Sequence, residues 1–245
     1  MSEIADFIQK LSIYAVPVLL AITFHEAAHG YVAWKKGDPT AYMLGRVTLN
    51  PVRHIDPVGT ILLPAAMLLM GTGMVFGWAK PVPVNFRLLR DHKWDPIYVA
   101  VAGVMTNLAL AALAGIVFRL LILFDPGLLP SVIKFVSGAG RVEIGGDIAF
   151  RIVTVPLAAM CFVFVLINVL LAVFNMIPIP PLDGGRIAVG LLPYRASMAL
   201  ASVERYGMLI VILLFMFGRL GGIFSVPFGI IWFAVDMLSS LFLGL

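Results

Sequence analysis

The sequence predicts an all-α polytopic membrane protein with about five to six transmembrane helices. Three observations carry this: 61% of its residues are hydrophobic, only 12% are charged, and six long apolar segments follow one another along the 245-residue chain. A soluble domain holds about 45–50% apolar and about 25% charged residues. The excess here is too large for a water-soluble core. The net charge of +4 fits a membrane protein whose cytoplasmic loops collect Lys and Arg. Those residues are spread over several loops, so no nucleic-acid partner is expected. The lipid bilayer is the partner this composition implies; nothing in the sequence sets an oligomeric state.

The first apolar segment runs from about Leu11 to Trp34. Glu3 and Asp6 precede it, where a cleaved signal would be positive, so no such signal is expected. The second, Val58 to Phe76, is interrupted by Pro64, Gly71 and Gly73. The third and fourth cover about Pro96 to Phe124 and Ile148 to Met176. The last two, Met198 to Phe217 and Ile223 to Leu243, complete a single integral-membrane domain over 1–245. Its core is expected at about 10–190, with accessory helices at about 197–245. All segments but the second comfortably span about 30 Å of hydrocarbon. One cysteine, Cys161, lies in an apolar run, so no internal disulfide is possible.

Three links between segments are informative. Tyr42–Asn50 and Trp78–Asn85 mix β-formers with turn residues. They predict short β segments at the cytoplasmic membrane face, with Pro81 and Pro83 keeping the second at an edge. The stretch Met176-Ile-Pro-Ile-Pro-Pro-Leu-Asp-Gly-Gly185 cannot be regular helix, because three prolines remove three backbone donors. Irregular backbone at this depth is tolerated only inside protein or beside a watery cavity.

The first segment contains Phe24-His25-Glu26-Ala27-Ala28-His29-Gly30. Histidines at i and i+4 share one helix face. That spacing lets both imidazoles reach one zinc ion at about 2 Å. Glu26 stands beside them, able to take a proton from water activated by such an ion. A carboxylate and two imidazoles inside an apolar segment cost roughly 2.5 kcal/mol or more for a central charge, so they persist for a reason. Catalytic zinc takes three protein ligands. Asp183, in the proline-broken stretch, is the best placed third. Asp236 lies in an apolar run without turn residues and reads as a snorkelling or helix-paired carboxylate. His54 and Asp56 sit just outside the membrane as accessory candidates, and His92 reads as solvated.

Charge bias bears on whether Asp183 can reach the histidines. Loop 35–56 carries Lys35, Lys36, Arg46 and Arg53; loop 77–95 carries Lys80, Arg87, Arg90 and Lys93; and 184–206 carries Arg186, Arg195 and Arg205. If every segment spanned, the first two loops would face opposite sides and Asp183 would emerge away from His29. A re-entrant segment at 58–76 puts both loops in the cytoplasm and returns Asp183 to the leaflet of His29. The metal geometry and the charge bias select the same topology.

Taken together, FHEAAHG at 24–30 and NMIPIPPLDGGR at 175–186 resemble the site-2 protease family of intramembrane zinc metalloproteases. Ala102-Gly-Val-Met-Thr-Asn107 is similar to that family's Gly-Pro-x-x-Asn element, with Val104 where proline is common. The resemblance implies His25, His29 and Asp183 as ligands of one zinc ion per chain, Glu26 as catalytic acid/base, and Asn107 positioning substrate or transition state. It implies hydrolysis of peptide bonds in or near transmembrane segments of membrane proteins, as in regulated intramembrane proteolysis. The expected location is a prokaryotic cell (inner) membrane, with the site toward the cytoplasmic leaflet. The 58–76 insertion departs from the minimal core, and the chain leaves no room for the substrate-filtering PDZ domain some members carry. A metal-ion transporter is the main rival, but it would spread polar residues over several helices and leave Glu26 without a task. A non-catalytic membrane scaffold would have no need of all four key residues.

Overall fold

The computed structural model describes residues 3–63, 66–67, 77–136, 148–217 and 225–245. Its principal helices are α1 (Glu3–Lys35), the single turn α2 (Thr40–Met43), α3 (Asp95–Phe124), α4 (Leu128–Val136), α5 (Ile148–Asn175), α6 (Asp183–Leu191), α7 (Tyr194–Ser202), α8 (Glu204–Phe217) and α9 (Ser225–Leu243). Among the described residues, α3, Phe150–Asn175 of α5 and Val226–Leu243 of α9 are each long and apolar enough to cross a bilayer. The bent pair α7–α8 makes a fourth if it is one span, and α1, at 33 residues, is about 50 Å long. The protein is therefore a helical polytopic membrane protein.

Helices α1, α3 and α5 pack against one another, and α9 closes on α3 and α5. Small residues permit the approach. Ala111 and Ala114 on α3 and Ala158 and Ala159 on α5 are buried in a cluster with Phe118 and Val163. A Cβ at Gly115 would come 2.5 Å from the Phe242 carbonyl oxygen of α9. Helices meet this way in lipid, where packing rather than water exclusion drives association. Large apolar side chains such as Leu113, Leu123 and Phe124 point outward and are exposed, as lipid contact requires.

Helix α1 stops at Gly37, whose φ of 113° favours glycine. The next amide, of Asp38, donates to Ala33 O at 2.9 Å, closing the orphan carbonyls. Asp38 is fully buried and accepts from Thr40 N, Thr40 Oγ1 and Asn85 N, the last at 2.6 Å. Arg90 N donates to Lys36 O, Lys80 N donates to His54 O, Arg46 Nη2 donates to Lys80 O at 2.7 Å, and Lys36 pairs with Asp95 at 2.9 Å. Both basic loops thus lie together at one end of the bundle.

The expected β segments do not form: among the described residues neither 42–50 nor 78–85 is a strand. Pro81 and Pro83 remove alternate donors from the second stretch. The amides that remain at Lys80, Val82 and Asn85 go to His54 O, Glu26 and Asp38. The first stretch is spent on the α2 turn and its C-terminal bend. The apolar segment at 58–76 falls largely outside the described residues. Its ends do not: Trp78 N donates to Gly59 O at 3.1 Å, and Thr60 Oγ1 donates to Trp78 O at 2.8 Å. The fifth expected segment is broken at Val203, where α7 and α8 meet at 64°.

Candidate metal centre

Helix α1 presents His25 and His29 one turn apart, with ring centroids 4.5 Å apart and planes near perpendicular. Asp183 comes from the other side. Helix α5 ends at Asn175 because Pro178, Pro180 and Pro181 cannot continue it. The chain turns through Ile177 N→Phe174 O and Leu182 N→Ile179 O and restarts as α6 at Asp183. Gly184 and Gly185 make this fold-back possible. A Cβ at either position would overlap the backbone of Met176 or of Pro180.

Three ligand atoms converge. His25 Nε2 and His29 Nε2 each lie 3.3 Å from Asp183 Oδ2, and 2.9 Å from one another. All three residues are buried. Among the described residues, His25, His29 and Asp183 form the group able to hold a metal ion. Donors about 2.0–2.2 Å from a tetrahedral zinc lie about 3.4 Å apart; the two 3.3 Å edges match this spacing, and the 2.9 Å edge between the imidazoles is shorter.

The opposite edges of the rings are also fixed. His29 Nδ1 donates to Val99 O at 2.7 Å, leaving Nε2 as a lone pair. His25 Nδ1 lies 2.5 Å from Asn107 Oδ1. Among the described residues, Asp183 Oδ2 receives no hydrogen bond although fully buried. Two imidazole nitrogens and a buried carboxylate oxygen aimed at one point are a donor set that a bound cation satisfies. The residues therefore fit a zinc ion.

Two neighbours complete the centre. Gly103 on α3 lies against both rings: a Cβ there would be 2.5 Å from His29 Cε1 and Nε2 and 2.6 Å from His25 Cε1. Glu26, partly buried, accepts from Val82 N at 2.7 Å through Oε2. Between Pro81 and Pro83 this is the one available amide, and it is spent on the carboxylate. Gly30 lets that stretch lie on the helix, since a Cβ would meet Val47 and Val82 at 3.0 Å.

Of the residues singled out from sequence, His25, His29 and Asp183 come together, Glu26 is beside them, and Asn107 backs His25. His54 does not join them. It is buried in its own loop with Nε2 2.9 Å from Thr48 O. Asp56 accepts from Val58 N and Gly59 N at the start of the 57–62 turn. Asp236 and His92 are exposed. Gly103 stood in the 102–107 element with no role assigned from sequence, and the Val82 amide was not legible as a site element. The i, i+4 spacing of Gly103 and Asn107, one face of α3, was the available signal for the glycine; a backbone amide leaves none.

Comparison with known proteins follows the same line. The family described as "Peptidase family M50" matches residues 13–218. The chain is 36% identical over 200 residues to "Putative zinc metalloprotease YwhC" of Bacillus subtilis, covering 82% of this chain and 78% of that protein. It is 29% identical over 219 residues to "Putative zinc metalloprotease Rip2" of Mycobacterium tuberculosis, covering 89% of this chain and 71% of that protein. No solved structure matches it.

Proposed function

The chain belongs to peptidase family M50, the site-2 proteases, and is an intramembrane zinc metalloprotease of a bacterial cell membrane; on that premise we propose that His25, His29 and Asp183 hold its zinc and Glu26 is its catalytic acid/base. The carrying observation is the convergence of two imidazole Nε2 atoms and Asp183 Oδ2 within 3.3 Å of one another.

Zinc, when bound, supplies Lewis acidity for the scissile carbonyl and for the attacking water. The protein does the rest. Val99 O and the Asn107 amide hold the two imidazoles with Nε2 facing inward. The Val82 amide holds Glu26 Oε2, which leaves Oε1 to take the proton from water and return it to the leaving amine. Burial of the three ligands strengthens the charge interactions between them.

Substrates are membrane proteins with a transmembrane helix, cut in or near that helix during regulated intramembrane proteolysis. An apolar cavity of about 720 Å³ lies between α3, α5, the 176–179 stretch, α8 and α9, with Val104, Met176, Ile177 and Ile231 in its wall. Its apolar lining, which includes the 176–179 stretch that leads to Asp183, suits an apolar substrate helix. Gly59 and Trp78, at the two ends of the 58–76 segment, lie against one another, which supports placing both basic loops on one side of the membrane. Counting α1, α3, α5, the bent α7–α8 pair and α9 as crossing gives the single domain five spans among the described residues. The basic loops at the α1–α3 end then face the cytoplasm, and the site lies toward the cytoplasmic leaflet.

Replacing Glu26 by Gln tests the assignment. Cleavage of a reconstituted transmembrane substrate should be abolished while bound zinc stays near one per chain. Retained cleavage, or loss of zinc with it, would overturn the assignment of Glu26.

A further inference from the structure

The metal centre is braced from a third helix. Asn168 of α5 and Asn107 of α3 are both fully buried and are joined by Asn107 Nδ2→Asn168 Oδ1 at 2.7 Å. Asn168 Nδ2 donates to Phe164 O at 2.8 Å, and Asn107 Nδ2 also points at Ala21 O, 3.3 Å away. Asn107 Oδ1 faces His25 Nδ1 at 2.5 Å.

Donor and acceptor chemistry makes this chain directional. Phe164 O can only accept, so the Asn168 nitrogen must point to it. The Asn168 oxygen is then turned to Asn107, whose nitrogen must meet it. Ala21 O, a second pure acceptor, demands the same orientation. The Asn107 oxygen is left facing His25, whose Nδ1 must therefore carry the hydrogen. His25 Nε2 is the bare lone pair that a metal needs. Reversing either amide would set two acceptors or two donors against each other in an apolar interior, which is costly.

Resting on the reading of His25 as a zinc ligand, we propose that Asn107 and Asn168 are positioning residues that fix the tautomer and ring orientation of His25, with Asn168 the remote anchor on α5. Asn107 acts through His25, on the ring edge opposite the ion, and not on the substrate. The arrangement also links α1, α3 and α5, the three helices that must stay in register for Asp183 to meet the histidines.

The test is zinc affinity of the full chain in detergent micelles, by competition with a chromophoric chelator, together with the visible absorption of the cobalt-substituted protein. Asn107→Leu should weaken zinc by about 10–100-fold, and Asn168→Leu by about 10-fold, each with an altered cobalt band. Asn168→Asp should restore affinity. In this apolar setting the acid is neutral, its O–H donating to Phe164 O and its carbonyl accepting from Asn107. A packing role alone would tolerate Leu and gain nothing from Asp. Wild-type zinc affinity and an unchanged cobalt band in Asn168→Leu would overturn the proposal. His25→Ala separates the two readings: unchanged zinc binding there would refute His25 as a ligand, whatever the asparagines do. Should the Leu variants not fold, histidine nitrogen NMR of the unsubstituted zinc-loaded chain decides. A hydrogen on His25 Nδ1 supports the relay and a bare Nδ1 refutes it.

Discussion

Gly103→Ala adds one methyl group at the centre of the site, and its effect can be worked from the packing. The new Cβ would lie 2.5 Å from His29 Cε1 and Nε2 and 2.6 Å from His25 Cε1. Carbon atoms prefer about 3.5–4.0 Å, so the rings must retreat by about 1 Å. Neither is free to do so, because Val99 O and Asn107 Oδ1 hold them at 2.7 and 2.5 Å. Two stability terms oppose each other. Alanine in a helix interior is favoured over glycine by about 0.5–1 kcal/mol, while overpacking costs about 1–3 kcal/mol. The net change is small, between neutral and about 2.5 kcal/mol of destabilisation. Catalysis is more sensitive, since a misplacement of about 1 Å can cost about 100-fold. The expected result is a folded protein with weakened zinc binding and about 100-fold slower cleavage. The assays are thermal unfolding, metal content and turnover of a reconstituted substrate. Gly229→Ala on α9, with nothing within 4 Å of its Cβ, is the control: zinc binding and turnover should not change, and stability should rise by about 0.5–1 kcal/mol. Full zinc affinity and full turnover in Gly103→Ala would refute the reasoning.

Val82→Pro removes the amide that holds Glu26. A hydrogen bond to a charged group is worth about 1.5–3 kcal/mol, so turnover should fall about 10-fold or more while bound zinc stays constant; unchanged or faster cleavage would contradict this. Removing zinc with a chelator leaves three acceptors facing one another, so the melting temperature should drop and recover on adding zinc, by about 2.7 kcal/mol at a hundredfold excess over Kd. In Asp183→Ala that zinc dependence should disappear. At the other end of α3, the bidentate Arg151 guanidinium, 2.7 and 2.8 Å away, holds the Asp125 carboxyl below its usual range, aided by the Gly127 amide. A lowered carboxylate stabilises the fold above its unfolded pKa of about 3.9 and loses that contribution as pH falls through the folded value. Acid unfolding midpoints should show this loss below about pH 4, and Arg151→Met should flatten it.

Much of the protein was determined by the sequence alone. Composition settled the membrane class, because so few charged residues cannot cover a water-soluble surface. The i, i+4 histidines were legible because helix periodicity is local. So was the break at 176–182, since proline acts on its own backbone wherever it stands. Expected helix ends at 96–124 and 148–176 fall within a residue of those formed. What remained for the tertiary structure were the matters of partnership. Asp183 rather than Asp236 or His54 faces the histidines because a fold-back permitted by Gly184 and Gly185 delivers it. The 78–85 stretch is not a strand because its few amides found Glu26, Asp38 and His54 O instead of a neighbouring backbone. Asn107, Asn168 and Gly103 owe their roles to residues tens of positions away. Periodicity and punctuation are written residue by residue along the chain; the identity of a hydrogen-bond or metal partner across it is settled only when the helices pack.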